Sequence, residues 1–451
     1  MEASAASRPQ LGAEVEVTID SLAHGGAGVG RLEGYVLFVR DAIPGDRVLA
    51  RVTKRKRAYG EARTLEVLTP SPERIAPQAD HPGAPWQVLP YERQLAIKAE
   101  QVEDALRRIG KLDGFELEPI VAADEQWRYR NKVEFSFGAD DADKLLCGFH
   151  ASGSWERIVD IEDCLLVSER VNETRRAVME HLRAAVLPPW DRRTQAGFLR
   201  NLVIREGRRT GELQIRLITS PGTFDAEAFA AATGADGVFW TQAAGVAETT
   251  AGGLTEHVSG APALEEELGG LRFSISPDAF FQTNTEMAEK LYGIATEYAA
   301  LKGWERVFDL YCGIGTIGLS LASRAGEVWG VEVVEDAVKD AIANAQRNEI
   351  SNAQFFAGDV RLAMRELVER AGKPDVLVVD PPRAGLSQKI VRRVIEASPK
   401  RIVYVSCNPT TLAPNAAQLA EAGYALRKVR PVDMFPQTNH VECVAVLERV
   451  A

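Results

Sequence analysis

The run DLYCGIGTIG, residues 309–318, closes the apolar strand pattern RVFDLYC and opens a helical pattern at Thr316. Gly313, Gly315 and Gly318 satisfy G-x-G-x-x-G, and Glu332 ends the next apolar run, 19 residues after Gly313. A glycine loop between strand and helix lets backbone approach a ligand, and an acid at that offset reaches ribose hydroxyls. The same geometry serves a nicotinamide dinucleotide or S-adenosylmethionine. Outward from this loop, strands and helices alternate: VWGVEV, a helix from Glu335, QFFAGD, a helix to about Ala371, VLVVDPP, a helix, and IVYVSCNP. Before it, Thr283 to Ala300 reads as a helix with Met287, Leu291, Ile294 and Tyr298 on one face and Thr283/Glu286 as a capping box. Strand-then-helix units of this length predict an α/β, doubly wound, mainly parallel sheet over residues 271–451.

Composition limits the rest. The chain has 451 residues, enough for two to four domains. Hydrophobic residues make up 45%, which excludes wholesale disorder. No apolar run reaches the ~18–20 residues of a membrane span, and no membrane partner is expected. The first ten residues are small and polar, a tail without a secretory pattern, which points to the cytoplasm. Five cysteines are too few for a disulfide framework and are expected as reduced thiols. A formal charge of −11 argues against unselective coating of nucleic acid but leaves room for a local basic patch.

Such a patch lies near the start. Residues 10–69 carry short alternating runs, EVEVTID, YVLFVR, DRVLARV and ARTLEVL, separated by the turn-rich SLAHGGAGVG and DAIPGD. This pattern predicts a small OB-like β-barrel. Within it Arg47, Arg51, Lys54, Arg55, Lys56, Arg57 and Arg63 face one acid of the same segment, Glu61, with Tyr59 among them. A cationic ribbon with an aromatic suits an RNA backbone and a stacked base, and equally a solvated hairpin. Residues 70–270 read as a proline-rich linker, a helix from Tyr91 with a stripe of Leu95, Ala99, Val102 and Leu106, and a mixed α+β domain.

Three further motifs carry chemistry. Asp380-Pro381-Pro382-Arg383 follows a buried-strand run, so the acid stands at the ligand face of the sheet. An aromatic after D-P-P would stack on a target amine base; Arg383 disfavours that chemistry. Ser406-Cys407-Asn408-Pro409 closes the next strand and sets a thiol in the crevice, where it can add to uracil C6 and make C5 nucleophilic. FPQTNHVEC, residues 435–443, offers His440 and Glu442 as the base that such a reaction needs. A buried structural thiol, a loop histidine and an exposed strand carboxylate are the corresponding bland readings.

Together Phe308–Ala322, Val378–Leu386, Val403–Leu412 and Asp433–Arg449 resemble the uracil-C5 RNA methyltransferases of tRNA and 23S ribosomal RNA, and the barrel resembles a TRAM domain. The resemblance implies Cys407 as nucleophile and Glu442 as base. It also implies Gln282, Tyr311, Gly313, Glu332 and Asp380, with Asp359 beside the adenine, as the S-adenosylmethionine site. It favours 23S rRNA over tRNA, because relatives with an N-terminal barrel act mostly on the former, and a monomer. Many members hold an iron–sulfur cluster on four cysteines. Here Ala79, His81 and Ala84 replace three of them and only Cys164 remains, so no cluster is expected. A nicotinamide oxidoreductase and a non-catalytic RNA-binding protein are the competing classes. The first leaves the SCNP and DPPR motifs unexplained, and the second leaves Cys407 and Glu442 idle.

Overall fold

A computed structural model describes residues 8–246, 250 and 252–450. Of the expected ten-residue tail, residues 1–7 lie outside the described residues. The chain opens with β1 (Glu14–Leu22), β2 (Gly28–Leu32), β3 (Tyr35–Arg40), β4 (Arg47–Arg55) and β5 (Tyr59–Thr69). They close into a barrel in the order β1-β2-β3-β5-β4. Alternate residues Val17, Ile19, Leu37, Val39, Val48 and Ala50 fill it. Strand β2 lies in the glycine-rich stretch that the sequence presents as a turn. A Cβ on Gly30 would stand 2.5 Å from Val17 Cγ2, so glycine lets β2 press against β1.

After the linker come α1 (Tyr91–Asp104), a π-turn (Ala105–Ile109) and the two-residue β6 (Glu116–Leu117). The stripe expected on α1 is displaced: the helix buries Gln94, Ile97, Lys98 and Val102, while Leu95 and Ala99 are only half-buried. Polar side chains lie inward here because they bond the polar loop before β22, described below.

The middle region adds β7 (Lys132–Ala139), β8 (Leu145–His150), β9 (Ile158–Asp160), α2 (Glu169–Ala184), β10 (Leu199–Glu206), β11 (Leu213–Thr219), α3 (Ala226–Thr233), β12 (Gly237–Gln242) and β13 (Leu254–Gly260). Its seven strands form one sheet, β13-β12-β11-β10-β7-β8-β9. The hairpin β14 (Leu264–Leu268) and β15 (Leu271–Ile275) follows, with Leu264, Leu268, Phe273 and Ile275 in the core of the C-terminal sheet.

The last third runs α4 (Thr285–Ala299), β16 (Arg306–Leu310), α5 (Thr316–Ala322), β17 (Glu327–Glu332), α6 (Glu335–Arg347), β18 (Ala353–Ala357), α7 (Val360–Ala371), β19 (Val376–Val379), α8 (Gln388–Ala397), β20 (Arg401–Ser406), α9 (Pro409–Glu421), β21 (Tyr424–Val432) and β22 (Glu442–Arg449). Sheet order is β18-β17-β16-β19-β20-β22-β21-β6. The first five strands are parallel, and β22 inserts antiparallel between β20 and β21. The order reverses between β16 and β19, which opens a crevice at their carboxyl ends. Helix α4 starts differently from the expected capping box. Asn284 Oδ1 accepts from Met287 N at 3.2 Å, Thr283 O accepts from Asn131 N, and the Glu286 carboxylate accepts from Arg208 instead. No helix among the described residues is long and apolar enough to cross a membrane.

Candidate active site

The crevice has two ends. At the first, Tyr311 leaves β16 with φ +65°, and Gly313 N–H donates to Glu332 Oε2 at 3.2 Å. Glu332 Oε1 accepts from Val333 N at 2.7 Å and Val334 N at 3.0 Å. Three of the roughly four acceptor positions of this carboxylate are therefore taken by backbone, which fixes it over the glycine loop. Nothing lies within 4 Å of where a Gly313 Cβ would stand, so the loop faces open space. Tyr311 is half-buried, and burial together with the charges of Asp359 and Glu332 pushes its hydroxyl up to about 12. Asp359 is exposed and caps α7, accepting from Arg361 N at 2.9 Å. Beneath the loop, Asp309 Oδ2 accepts from Gly318 N at 2.8 Å while its buried Oδ1 has no partner. Burial, then Asp380 and Glu332, push this carboxyl up to about 8.

At the other end β19 delivers Asp380, whose carboxyl burial pushes up to about 7. The neighbouring β20 delivers Cys407, half-buried where the other four cysteines are buried. The pairing Ser406↔Cys443 sets the start of β22 beside it, so Cys407 and Glu442 leave adjacent strand ends. Glu442 is buried, not the exposed strand charge of the bland reading. Burial, reinforced by Asp380 and opposed by Arg383, holds its carboxyl well above the usual range. Burial pushes the Cys407 thiol up to about 11, with Glu442 and Asp380 adding and Arg383 opposing. Asn408 caps α9 and donates from Nδ2 to Arg383 O at 3.1 Å, tying the SCNP turn to the DPPR turn. Arg383 Nη2 donates to His440 Nδ1 at 2.8 Å. Burial and the cations Arg383, Arg130, Lys98 and His24 push His440 down to about 4, so it is a neutral acceptor for Arg383.

The loop that carries His440 is held from outside its own domain. Lys98 of α1 donates to Asp433 Oδ1 at 2.6 Å, both side chains fully buried, and to Phe435 O at 3.1 Å. Gln94 Nε2 donates to Gln437 Oε1, and Gln94 Oε1 accepts from Gln437 N. Tyr129 of the middle region donates to Pro436 O at 3.0 Å. Sequence reading missed Gln94 and Lys98. Their one signal is polarity at helical positions that the fold buries. Gln282 is buried in the loop before α4. Its backbone carbonyl accepts from Asn131, and its amide has no hydrogen bond among the described residues.

The cluster region holds a different chemistry. Gly83 N donates to His81 Nδ1, which leaves the proton on Nε2, 3.2 Å from Cys164 Sγ. One imidazole, one thiol and two alanines do not fit an iron–sulfur cluster, which needs about four soft ligands. Burial pushes the Cys164 thiol up, as for an unreactive side chain. Acids from elsewhere in the barrel oppose much of the basic ribbon: Arg47 pairs with Glu16, Arg51 with Glu14 at 2.7 Å and Arg63 with Asp41 at 3.5 Å, besides Lys54 with Glu61. Arg55, Lys56 and Arg57, at the exposed β4–β5 turn, carry no ion pair among the described residues.

The eight-stranded sheet, with an antiparallel strand beside β20 and a glycine loop and acid at its switch point, suits an adenosine-bearing ligand. The tRNA (uracil-5-)-methyltransferase family model matches residues 269–450, and the TRAM model matches residues 8–65. An RNA methyltransferase of Halalkalibacterium halodurans is 38% identical over 96% of both chains. One of Thermosynechococcus vestitus is 40% identical over 97% of this chain and 98% of its own. The crystal structure of Pyrococcus abyssi tRNA (uracil-54, C5)-methyltransferase with S-adenosyl-L-homocysteine matches with TM-score 0.80 and 29% identity. It covers 96% of this chain and 99% of that one. The chain belongs to the uracil-5 RNA methyltransferase family, and S-adenosylmethionine is its methyl donor.

Proposed function

We propose that this enzyme methylates C5 of a uridine in 23S ribosomal RNA through a covalent adduct on Cys407. The juxtaposition of Cys407 and Glu442 at neighbouring strand ends supports the covalent C5 chemistry, and the N-terminal barrel supports the ribosomal target. S-adenosylmethionine supplies an electrophilic methyl group on a sulfonium. Tyr311, Glu332, Gly313 and Asp359 would hold its adenosine, and Asp380 and Gln282 its reacting end. Partnerless oxygen on buried Asp309 and raised carboxyls at Asp309 and Asp380 suit a ligand bearing positive charge.

Cys407 gives up its thiol proton to solvent, and the thiolate Sγ, favoured by the Arg383 cation, forms a bond to C6 so that the C5=C6 electron pair becomes nucleophilic at C5. C5 takes the methyl group, leaving the thioether S-adenosylhomocysteine. Glu442 then accepts the C5 proton, the C5=C6 bond re-forms, and the C6–S bond breaks to return the thiolate. Burial that raises the Glu442 carboxyl also makes its ionised form a better proton acceptor. His440 is a poor candidate for this step, because Arg383 already occupies its Nδ1.

A second reading is tRNA, favoured by the Pyrococcus abyssi enzyme, whose match extends across the barrel. One experiment tests both. 5-Methyluridine is mapped separately in ribosomal and transfer RNA from a deletion strain; loss of a 23S site supports the first reading and loss of a tRNA site the second. RNA carrying 5-fluorouridine should leave a denaturant-stable protein–RNA adduct, because fluorine cannot leave as a cation. Absence of an adduct overturns the covalent mechanism.

A further inference from the structure

Residues 433–441 join β21 to β22 within the catalytic sheet, yet the linker, α1, the middle region and the barrel all touch them. Trp86 N of the linker donates to Gln437 O at 2.9 Å. The barrel's β1–β2 loop rests on the segment so closely that a Cβ on Gly26 would stand 2.9 Å from Asn439 Cβ. Gln437 itself takes φ +65°, a left-handed conformation that a residue other than glycine keeps only where its surroundings over-determine it. The Gln94 amide does so from α1: its Oε1 accepts from Gln437 N at 3.0 Å, and its Nε2 donates to Gln437 Oε1 at 2.8 Å.

From α1 a continuous chain of hydrogen bonds then runs to the reacting end. Lys98 Nζ donates to Phe435 O at 3.1 Å. Thr438 Oγ1 donates to the same carbonyl at 2.7 Å and accepts from His440 N at 3.2 Å. His440 Nδ1 accepts from Arg383 Nη2, and Arg383 O accepts from Asn408, the residue after Cys407. The Phe435 and His440 rings meet edge to face, 6.0 Å apart. Arg383, Arg130, Lys98 and His24 all act to keep His440 unprotonated, so its Nδ1 stays an acceptor. Around Cys407 the signs are mixed: Glu442 and Asp380 disfavour the thiolate, and Arg383 favours it. Where the Arg383 guanidinium stands therefore governs how readily the thiol ionises.

We propose that Gln94, Lys98 and Thr438 are positioning residues for the methyl-transfer chemistry: through the loop they fix His440, and through His440 they hold Arg383 where it steadies the Cys407 thiolate. This rests on the reading of Cys407 as nucleophile. The helix that carries Gln94 and Lys98 lies outside residues 269–450, the segment that the family model matches, so the reacting end is complete only with α1 docked.

Thr438→Val cuts the chain at its narrowest point, because it removes the hydroxyl that joins Phe435 to His440 and nearly keeps the shape. The probe is iodoacetamide, with the Cys407 peptide read by mass spectrometry. Alkylation follows the thiolate fraction, so at about pH 8 Thr438→Val should react about three- to tenfold more slowly than wild type. Its kcat should fall by a similar factor, with KM for RNA and S-adenosylhomocysteine affinity unchanged. Gln94→Met should behave alike, as should Lys98→Met/Asp433→Asn, which leaves no unpaired buried charge. His440→Ala should also slow alkylation, and adding Thr438→Val to it should slow it no further, because both act through one link. A merely loosened loop would expose Cys407 and speed alkylation. Faster or unaltered alkylation in Thr438→Val therefore overturns the proposal, and so does a raised KM with unaltered kcat. Lost S-adenosylhomocysteine affinity marks a variant that has not folded, and the remaining variants decide; its loss in all of them also overturns the proposal, since the contacts then serve the fold alone. Wild-type protein that forms no 5-fluorouridine adduct loses the reading of Cys407 and this proposal with it. An adduct in wild type with unaltered alkylation in the variants loses the proposal and keeps the reading.

Discussion

The two ends of the catalytic crevice are both acidic, yet they are built in opposite ways. At the proposed adenosine end the two outer acids are engaged, Glu332 by three backbone N–H groups and Asp359 as a helix cap, while Asp309 beneath the loop bonds Gly318 through one oxygen only. At the reacting end Asp380 and Glu442 carry no side-chain hydrogen bond among the described residues, and burial pushes both up. The rim of Glu332 and Asp359 is set by backbone before any ligand arrives and suits neutral hydroxyls. The reacting end is electrostatically incomplete. Its thiol, pushed to about 11, is protonated at neutral pH and becomes a nucleophile only when positive charge or a proton acceptor sits beside it. Arg383 is the cation that opposes these upward shifts.

The largest expected effect removes the reacting end outright. Cys407→Ala should abolish both methylation and the 5-fluorouridine adduct, read by denaturing electrophoresis. Glu442→Gln should keep the addition but fail to release product, so that an adduct accumulates on ordinary RNA. Wild-type turnover by Glu442→Gln would move the base elsewhere, and His440 would be tested next. At the adenosine end, Glu332→Ala should weaken S-adenosylmethionine binding by about 1.5–3 kcal/mol by calorimetry, the range for hydrogen bonds to a charged group. Because backbone already holds most of that carboxylate, we expect the lower half of the range.

The contrast sharpens with pH. A cationic ligand pairs with carboxylates, and Asp380 and Asp309 are protonated below about 7 and about 8. Cofactor affinity should therefore be flat above about pH 8 and fall as pH drops, by up to ~10-fold per pH unit for each linked proton. Asp380→Asn should make that slope shallower; an identical slope would exclude Asp380 from the linkage. The smallest effect belongs to the barrel. Neutralising Arg55, Lys56 and Arg57 should flatten the salt dependence of RNA binding, by up to ~0.7–0.9 in log–log slope for each phosphate that these side chains neutralise. Lys54, paired with Glu61, should add little.

What was legible follows the range of the interactions. The C-terminal sheet was readable because strand–turn–helix units are local, and because motifs at strand ends must converge on one crevice once the sheet is parallel. Asn284 caps the helix in place of Thr283, and the Glu286 expected to complete the capping box is held by Arg208, distant in sequence. The barrel ribbon looked unopposed because Glu14 and Glu16 come from a strand more than thirty residues away. His24 gave no signal at all. A histidine in a glycine-rich turn becomes interesting only when the barrel is docked against Asn439.

The Lys98–Asp433 pair has a consequence for how the enzyme comes to life. Its partners lie 335 residues apart, and breaking one side of such a fully buried pair costs ~3–5 kcal/mol. On the ribosome the lysine is made early and the aspartate late. The barrel holds contacts made early in the chain, but the Lys98–Asp433 pair, and with it the outside anchor of the loop bearing His440, can form only after Asp433 emerges.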